Sequence, residues 1–118
     1  MSKFRVFLAV LWLVIAGYTA VVVATHGLNL LPVFFGDMTR MAWPGQFNLD
    51  FMCMLLLSGL WVSWRHHFSA AGLLLGVLAV FGGAFFLSTY LLIVSHRLSG
   101  GMAELLLGKT RAARLDGN

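Results

Sequence analysis

Three long apolar stretches, separated by short polar or mixed segments, set the pattern along the chain. The first runs from Phe4 to Thr25, 22 residues behind Lys3 and Arg5. About 20 apolar residues cross a hydrocarbon core near 30 Å thick, so a transmembrane helix is expected here. The rival reading is a cleaved signal peptide, with Lys3 and Arg5 as its basic start and Gly17–Ala20 near the cut. Val21, Val22 and Val23 carry the apolar run past the roughly 7–15 residues of a signal core, which favours a retained span.

The second stretch, Asn48 to Trp64, counts 18 residues with Phe47. It starts polar at Gln46, Asn48 and Asp50 and ends in Trp61, Trp64 and Arg65, an aromatic belt followed by a basic stop. The third, Ser69 to Val94, has 26 residues and closes on His96 and Arg97. It is long enough to need tilt or to project from the bilayer. Only Arg65–Phe68 joins it to the second, which predicts antiparallel neighbours.

Between the first two stretches, His26 to Phe47 mixes turn formers (Gly27, Asn29, Pro32, Gly36, Pro44, Gly45) with Leu30, Leu31, Val33, Phe34, Phe35 and Met41. Leu28–Phe35 is too short to cross as a helix. The segment is expected to be a partly buried interfacial loop, with Trp43 at headgroup level. After the third stretch, Ser99, Gly100 and Gly101 signal a stop. Met102–Leu107 predicts a short amphipathic helix, and Lys109, Arg111 and Arg114 give a basic tail on the membrane surface. The fold class expected is therefore an all-α integral membrane bundle of three transmembrane helices, one domain over residues 1–118.

Orientation stays open. Three crossings put Lys3, Arg5 and Arg65 on one side and Arg40, Arg97, Lys109, Arg111 and Arg114 on the other, a 3 to 5 split of the basic residues. The positive-inside rule leans to the second group, whereas the basic N-terminus argues for the first. A four-pass chain would give 7 against 1, with both termini on one side. However, an eight-residue crossing at Leu28–Phe35 would leave backbone groups unsatisfied in lipid.

Composition agrees with this class and removes others. The 118 residues are 60% hydrophobic and 10% charged, against roughly 45–50% and 25% in soluble domains. Mean hydropathy is +0.91 and the pI is near 10.0. The net charge of +4 sits at the ends of apolar runs, which suits anionic headgroups and argues against nucleic acid as a partner. Cys53 is the single cysteine, so no intrachain disulfide can form. No nucleotide-binding loop, dinucleotide fingerprint or nucleophile elbow is present.

The remaining chemistry rests on a few side chains. Gly72, Gly76, Ala79 and Gly83 share one face of the third stretch, suited to close helix packing within the chain or between copies. Ala16, Ala20 and Ala24 offer a partner ridge on the first. Asp50 is the only acid inside an expected span, either an ion or ligand site or an acid stabilised by its helix N-terminus. With three crossings, His26, Asp37, Asp50 and His96 fall on one side. Two imidazoles and two carboxylates are valid metal ligands. They come from separate segments without paired spacing on one helix, so no metal or cofactor is expected.

Trp43-Pro44, Asp50-Phe51, Leu60-Trp61-Val62, a basic turn, Gly82-Gly83 and Tyr90 lie between Met41 and Leu107. Together they resemble a family of small multi-pass membrane proteins from plants and bacteria, classed as a domain of unknown function. The turn at Arg65–Phe68 departs from that pattern, which has a more acidic turn bearing Trp. The resemblance implies a shared helical hairpin and brings no catalytic residue.

The expected function is a non-enzymatic, multi-pass membrane protein of the bacterial inner-membrane type. It would act as an accessory, assembly or scaffold factor, with the lipid bilayer and a membrane protein or a second copy as partners. The alternative is a small oligomeric transporter or ion conductor using Asp50; a third reading is an intramembrane enzyme or cofactor carrier.

Overall fold

Each helix boundary follows from local chemistry. The computed structural model describes residues 2–98 and 101–116, so Ser99 and Gly100 of the expected stop lie outside the described residues. Helix α1 (Ser2–His26) runs through the first apolar stretch and ends at Gly27. Gly27 has φ 74° and its N–H bonds the Val23 carbonyl at 2.8 Å. Glycine takes this left-handed cap without the penalty a Cβ brings.

Helix α2 (Leu30–Thr39) occupies the connecting segment, with Pro32 in its first turn, where no intrahelical N–H is lost. The segment is thus more regular than a loop. None of α2 is fully buried, but Phe34, Gly36, Asp37 and Met38 are half-buried. Helix α3 (Trp43–Arg65) begins four residues earlier than the expected second span, with Pro44 in its first turn preorganising the start. A tight turn follows, in which His67 (φ 58°) and Phe68 (φ 54°) both take positive φ. Ser69 then caps α4 (Ala70–Arg97), its Oγ accepting from the Gly72 N–H at 3.1 Å.

Among the described residues all regular structure is helical, and α1, α3 and α4 are long and apolar enough to cross a membrane. The third of these differs from expectation in shape. At Gly83 the backbone leaves helical values (φ 56°, ψ −141°), and the chain doubles back. Residues 70–82 run antiparallel to α3, so that Gly76 meets Gly59 and Ser63 while Gly83 meets Phe51 and Leu55. Residues 84–97 then return, bringing Tyr90 to His66 and Trp61 at the C-terminal end of α3. A straight helix would hold Tyr90 at the opposite end of α3. Instead Val62, Ala79 and Tyr90 form one buried core, with Phe86, Leu87, Leu91 and Val94 around it.

The small-residue face closes this hairpin. Gly72, Gly76 and Ala79 are buried. A Cβ on Gly76 would fall on Ser63 Oγ and within 2.9 Å of the Gly59 carbonyl oxygen. The ridge therefore packs on α3 of the same chain, not on Ala16, Ala20 and Ala24 of α1. Helix α1 lies instead against the returning half of α4: Trp12 Nε1 donates to Thr89 Oγ1 at 2.8 Å, and the Arg5 guanidinium donates to the Ser95 carbonyl at 2.5 Å. Helices α5 (Met102–Leu107) and α6 (Lys109–Asp116) close the described chain beside the C-terminal end of α3.

Candidate functional site

The densest polar contacts lie at that end. Arg65 donates from Nε to the Leu105 carbonyl at 2.6 Å, from Nη2 to the Glu104 carbonyl at 3.1 Å and from Nη1 to Tyr90 Oη at 3.1 Å. His66 Nε2 lies 2.7 Å from the same hydroxyl. Trp61 Nε1 donates to the Leu106 carbonyl at 3.0 Å. Arg111 stacks over the Trp64 ring at 3.9 Å and donates to the Trp64 carbonyl at 2.6 Å. The last carbonyls of α5 lie at a helix end: that of Glu104 accepts from the Gly108 N–H at 2.9 Å, and Arg65 and Trp61 supply further donors. One guanidinium thus joins the end of α3, the returning half of α4 and the tail.

The electrostatics of this junction favour a neutral imidazole. Burial, then the nearby charges of Arg65 and His67, hold the His66 pKa below its ordinary 6.5. Its ring nitrogen and the Tyr90 hydroxyl are committed to each other. Arg65 is committed to carbonyls and to that hydroxyl. This is a structural clamp. Trp61, Trp64 and Arg65, expected at the headgroup boundary, hold the tail, whereas Trp43 is 71% exposed at the other end and stacks on Phe47. Arg97 is exposed beyond Ser95.

The four polar candidates do not converge. Asp37 sits where α2 meets α3, with Arg40 Nη1 at 3.8 Å and Asn48 Nδ2 at 3.5 Å; Asn48 also donates to the Phe34 carbonyl at 3.1 Å. His26 is exposed at the end of α1, its Nδ1 2.8 Å from Thr25 Oγ1. Because α4 doubles back, His96 lies at the opposite end, next to the Ser95 that holds Arg5. The expectation that His96 shares a side with Asp37, Asp50 and His26 is corrected by this reversal. Among the described residues no group of three or more His, Cys, Asp or Glu side chains could hold a metal ion. Asp50 is exposed on α3 and makes no hydrogen bond or ion pair among the described residues.

The clefts are apolar. One of about 780 Å³ lies at the hairpin tip, between Ala16, Ala20 and Ala24 of α1, Phe51 and Leu55 of α3, and Gly82-Gly83. The alanine ridge thus borders open space. A second, of about 500 Å³, lies between Met38, Met41, Trp43 and Leu49. Asp50 lines neither.

No family model, curated protein or solved structure matches this chain. The functional reading therefore rests on its own residues.

The junction is what sequence reasoning missed. Arg65 and His66 are 25 and 24 residues from Tyr90, and a straight third span separates them by its whole length. The available signal was the adjacent Gly82-Gly83 in a stretch longer than a crossing needs.

Proposed function

We propose that this chain is a small, non-enzymatic integral membrane protein that acts by lateral packing against a partner in the bilayer. The observation that carries the reading is the distribution of its surfaces. The close-packing glycines are consumed within the α3–α4 hairpin, and the polar side chains at its closed end bind one another and the tail. What remains outward is long apolar helix: Val6, Leu13, Val14, Tyr18 and Val21 of α1 are each more than 60% exposed. Such a surface suits lipid and neighbouring helices.

Charge supports a membrane orientation. Lys3, Arg5, Arg65, Arg97, Lys109, Arg111 and Arg114 fall at the end where α3 finishes, and Arg40 alone at the other. By the positive-inside rule the first end faces the cytoplasm. Membrane location of the bacterial inner-membrane type is part of the proposal.

The test is a flux measurement. Purified full-length chain in proteoliposomes should conduct neither protons nor alkali cations above empty vesicles, and Asp50→Asn should change nothing. A conductance that Asp50→Asn abolishes would overturn the accessory reading in favour of transport.

A further inference from the structure

Asp50 stands in the middle of an outward stripe on α3. Phe47, Met54 and Leu57 are 63%, 62% and 65% exposed, and Cys53 is exposed beside them. These residues fall at helical spacing around Asp50 and share one side of α3. The opposite side, through Gly59, Val62 and Ser63, is covered by α4. At 1.5 Å per residue Asp50 lies about 22 Å along α3 from Arg65. Measured from Arg65, that depth is inside a hydrocarbon core about 30 Å thick.

A carboxylate facing lipid inside the hydrocarbon core is costly without a partner. Lysine and arginine escape by extending a long stem to the headgroups. The single methylene of Asp50 gives no such reach.

Among the described residues no lysine or arginine stands at that level. Arg40 is beside Asp37, and the other seven Lys and Arg residues lie at the far end. His26, at the end of α1, is bonded to Thr25 Oγ1. A second copy packed in parallel on the same stripe would bring another carboxylate, not a counter-charge. An antiparallel copy would reverse the charge bias across the bilayer.

We infer that the stripe Phe47, Asp50, Met54 and Leu57 docks a transmembrane helix of a different protein that carries a lysine or arginine at the depth of Asp50. The inference rests on the lateral-packing reading and names the chemistry of the partner. The paired charges satisfy one another out of water, while the apolar residues on either side supply packing. The carboxylate sets the register and selects the partner.

The test uses the full chain in lipid vesicles, with a dye at its C-terminus, and a synthetic polyleucine transmembrane peptide as probe. The peptide carries either one lysine at the matching depth or leucine throughout, and association is read by energy transfer. The lysine peptide should bind at least tenfold more tightly than the leucine peptide. Asp50→Asn should remove that difference, and Asp50→Lys should transfer the preference to a peptide bearing aspartate. Unchanged circular dichroism shows that the variants keep their fold.

Equal binding of the two peptides to the native chain overturns the inference and leaves the accessory reading standing. A Cys53–Cys53 disulfide between native copies under mild oxidation, lost in Asp50→Lys, also overturns it and assigns the stripe to a second copy. A conductance abolished by Asp50→Asn overturns both readings together.

Discussion

His66 links two parts of the chain that are far apart in sequence, and its protonation should weaken that link. Its neutral ring sits 2.7 Å from Tyr90 Oη, in a pocket shared with the Arg65 guanidinium. The folded pKa lies below the ordinary 6.5, because burial and the adjacent charges of Arg65 and His67 oppose a second cation there. When the junction opens, the imidazole recovers its ordinary value. As pH falls through 6.5, the open form therefore takes up the proton first, and the closed form loses stability until the folded pKa is reached. Above 6.5 the stability of the junction should be flat with respect to this group. Hydrogen exchange of residues 102–116, followed from pH 8 to pH 5, should show protection falling only in the acidic part of the range. His66→Gln should flatten the profile. A profile unchanged by that substitution would show that the imidazole does not govern the junction.

At the scale of the element, α4 is where sequence and structure part most clearly. The ends of the apolar runs were legible, since Gly27, Pro44, Ser69 and the basic residues mark them by known backbone and interface chemistry. The small face of Gly72, Gly76 and Ala79 was legible as a packing face, though not its partner, because α1 and α3 both present small residues. The reversal at Gly83 was hidden because a hydrophobic stretch keeps the same composition whether it runs straight or folds on itself. That one hidden feature moved Tyr90 and His96 to the other end and dissolved the expected polar cluster.

The turn itself demands glycine. A φ of 56° with ψ of −141° is open to glycine and costs other residues roughly 1–3 kcal/mol. Phe51 Cζ would also stand 3.2 Å from an added Cβ. Gly83→Val should open the hairpin toward a straight helix. Spin labels at Ala70 and His96 should be close in the native chain and move toward about 40 Å, the rise of a continuous helix of that length, in the variant. A native separation near the straight value would refute the reversal.

For the whole molecule, the reversal decides which faces the termini share. Three straight crossings separate them. With α4 returning, α1 and α3 run the length of the bundle, and residues 70–82 and 84–97 leave from and return to one end. Each half is about 20 Å long, short of the roughly 30 Å hydrocarbon core. The non-helical link at Gly83 is tolerated at that depth because it is set against Phe51 and Leu55 and borders a cleft, rather than lying bare in lipid. The same path gathers seven of the eight Lys and Arg residues at one end. The ratio equals that of a four-pass chain, although there Arg65 and here Arg40 stands alone, and it is reached without forcing Leu28–Phe35 through the bilayer. The positive-inside rule and the basic N-terminus therefore point to the same end, where a straight third span set them against each other. The expected outcome is that protease sites placed before Ser2 and after Asn118 are both protected in intact cells and both cleaved in inside-out vesicles. A label on a cysteine replacing Thr39, in a Cys53→Ser background, should show the opposite accessibility. Cleavage of the two terminal sites from opposite faces would show that α4 crosses completely in the membrane. It would return His96 to the side of Asp37 and remove Tyr90 from the Arg65 junction.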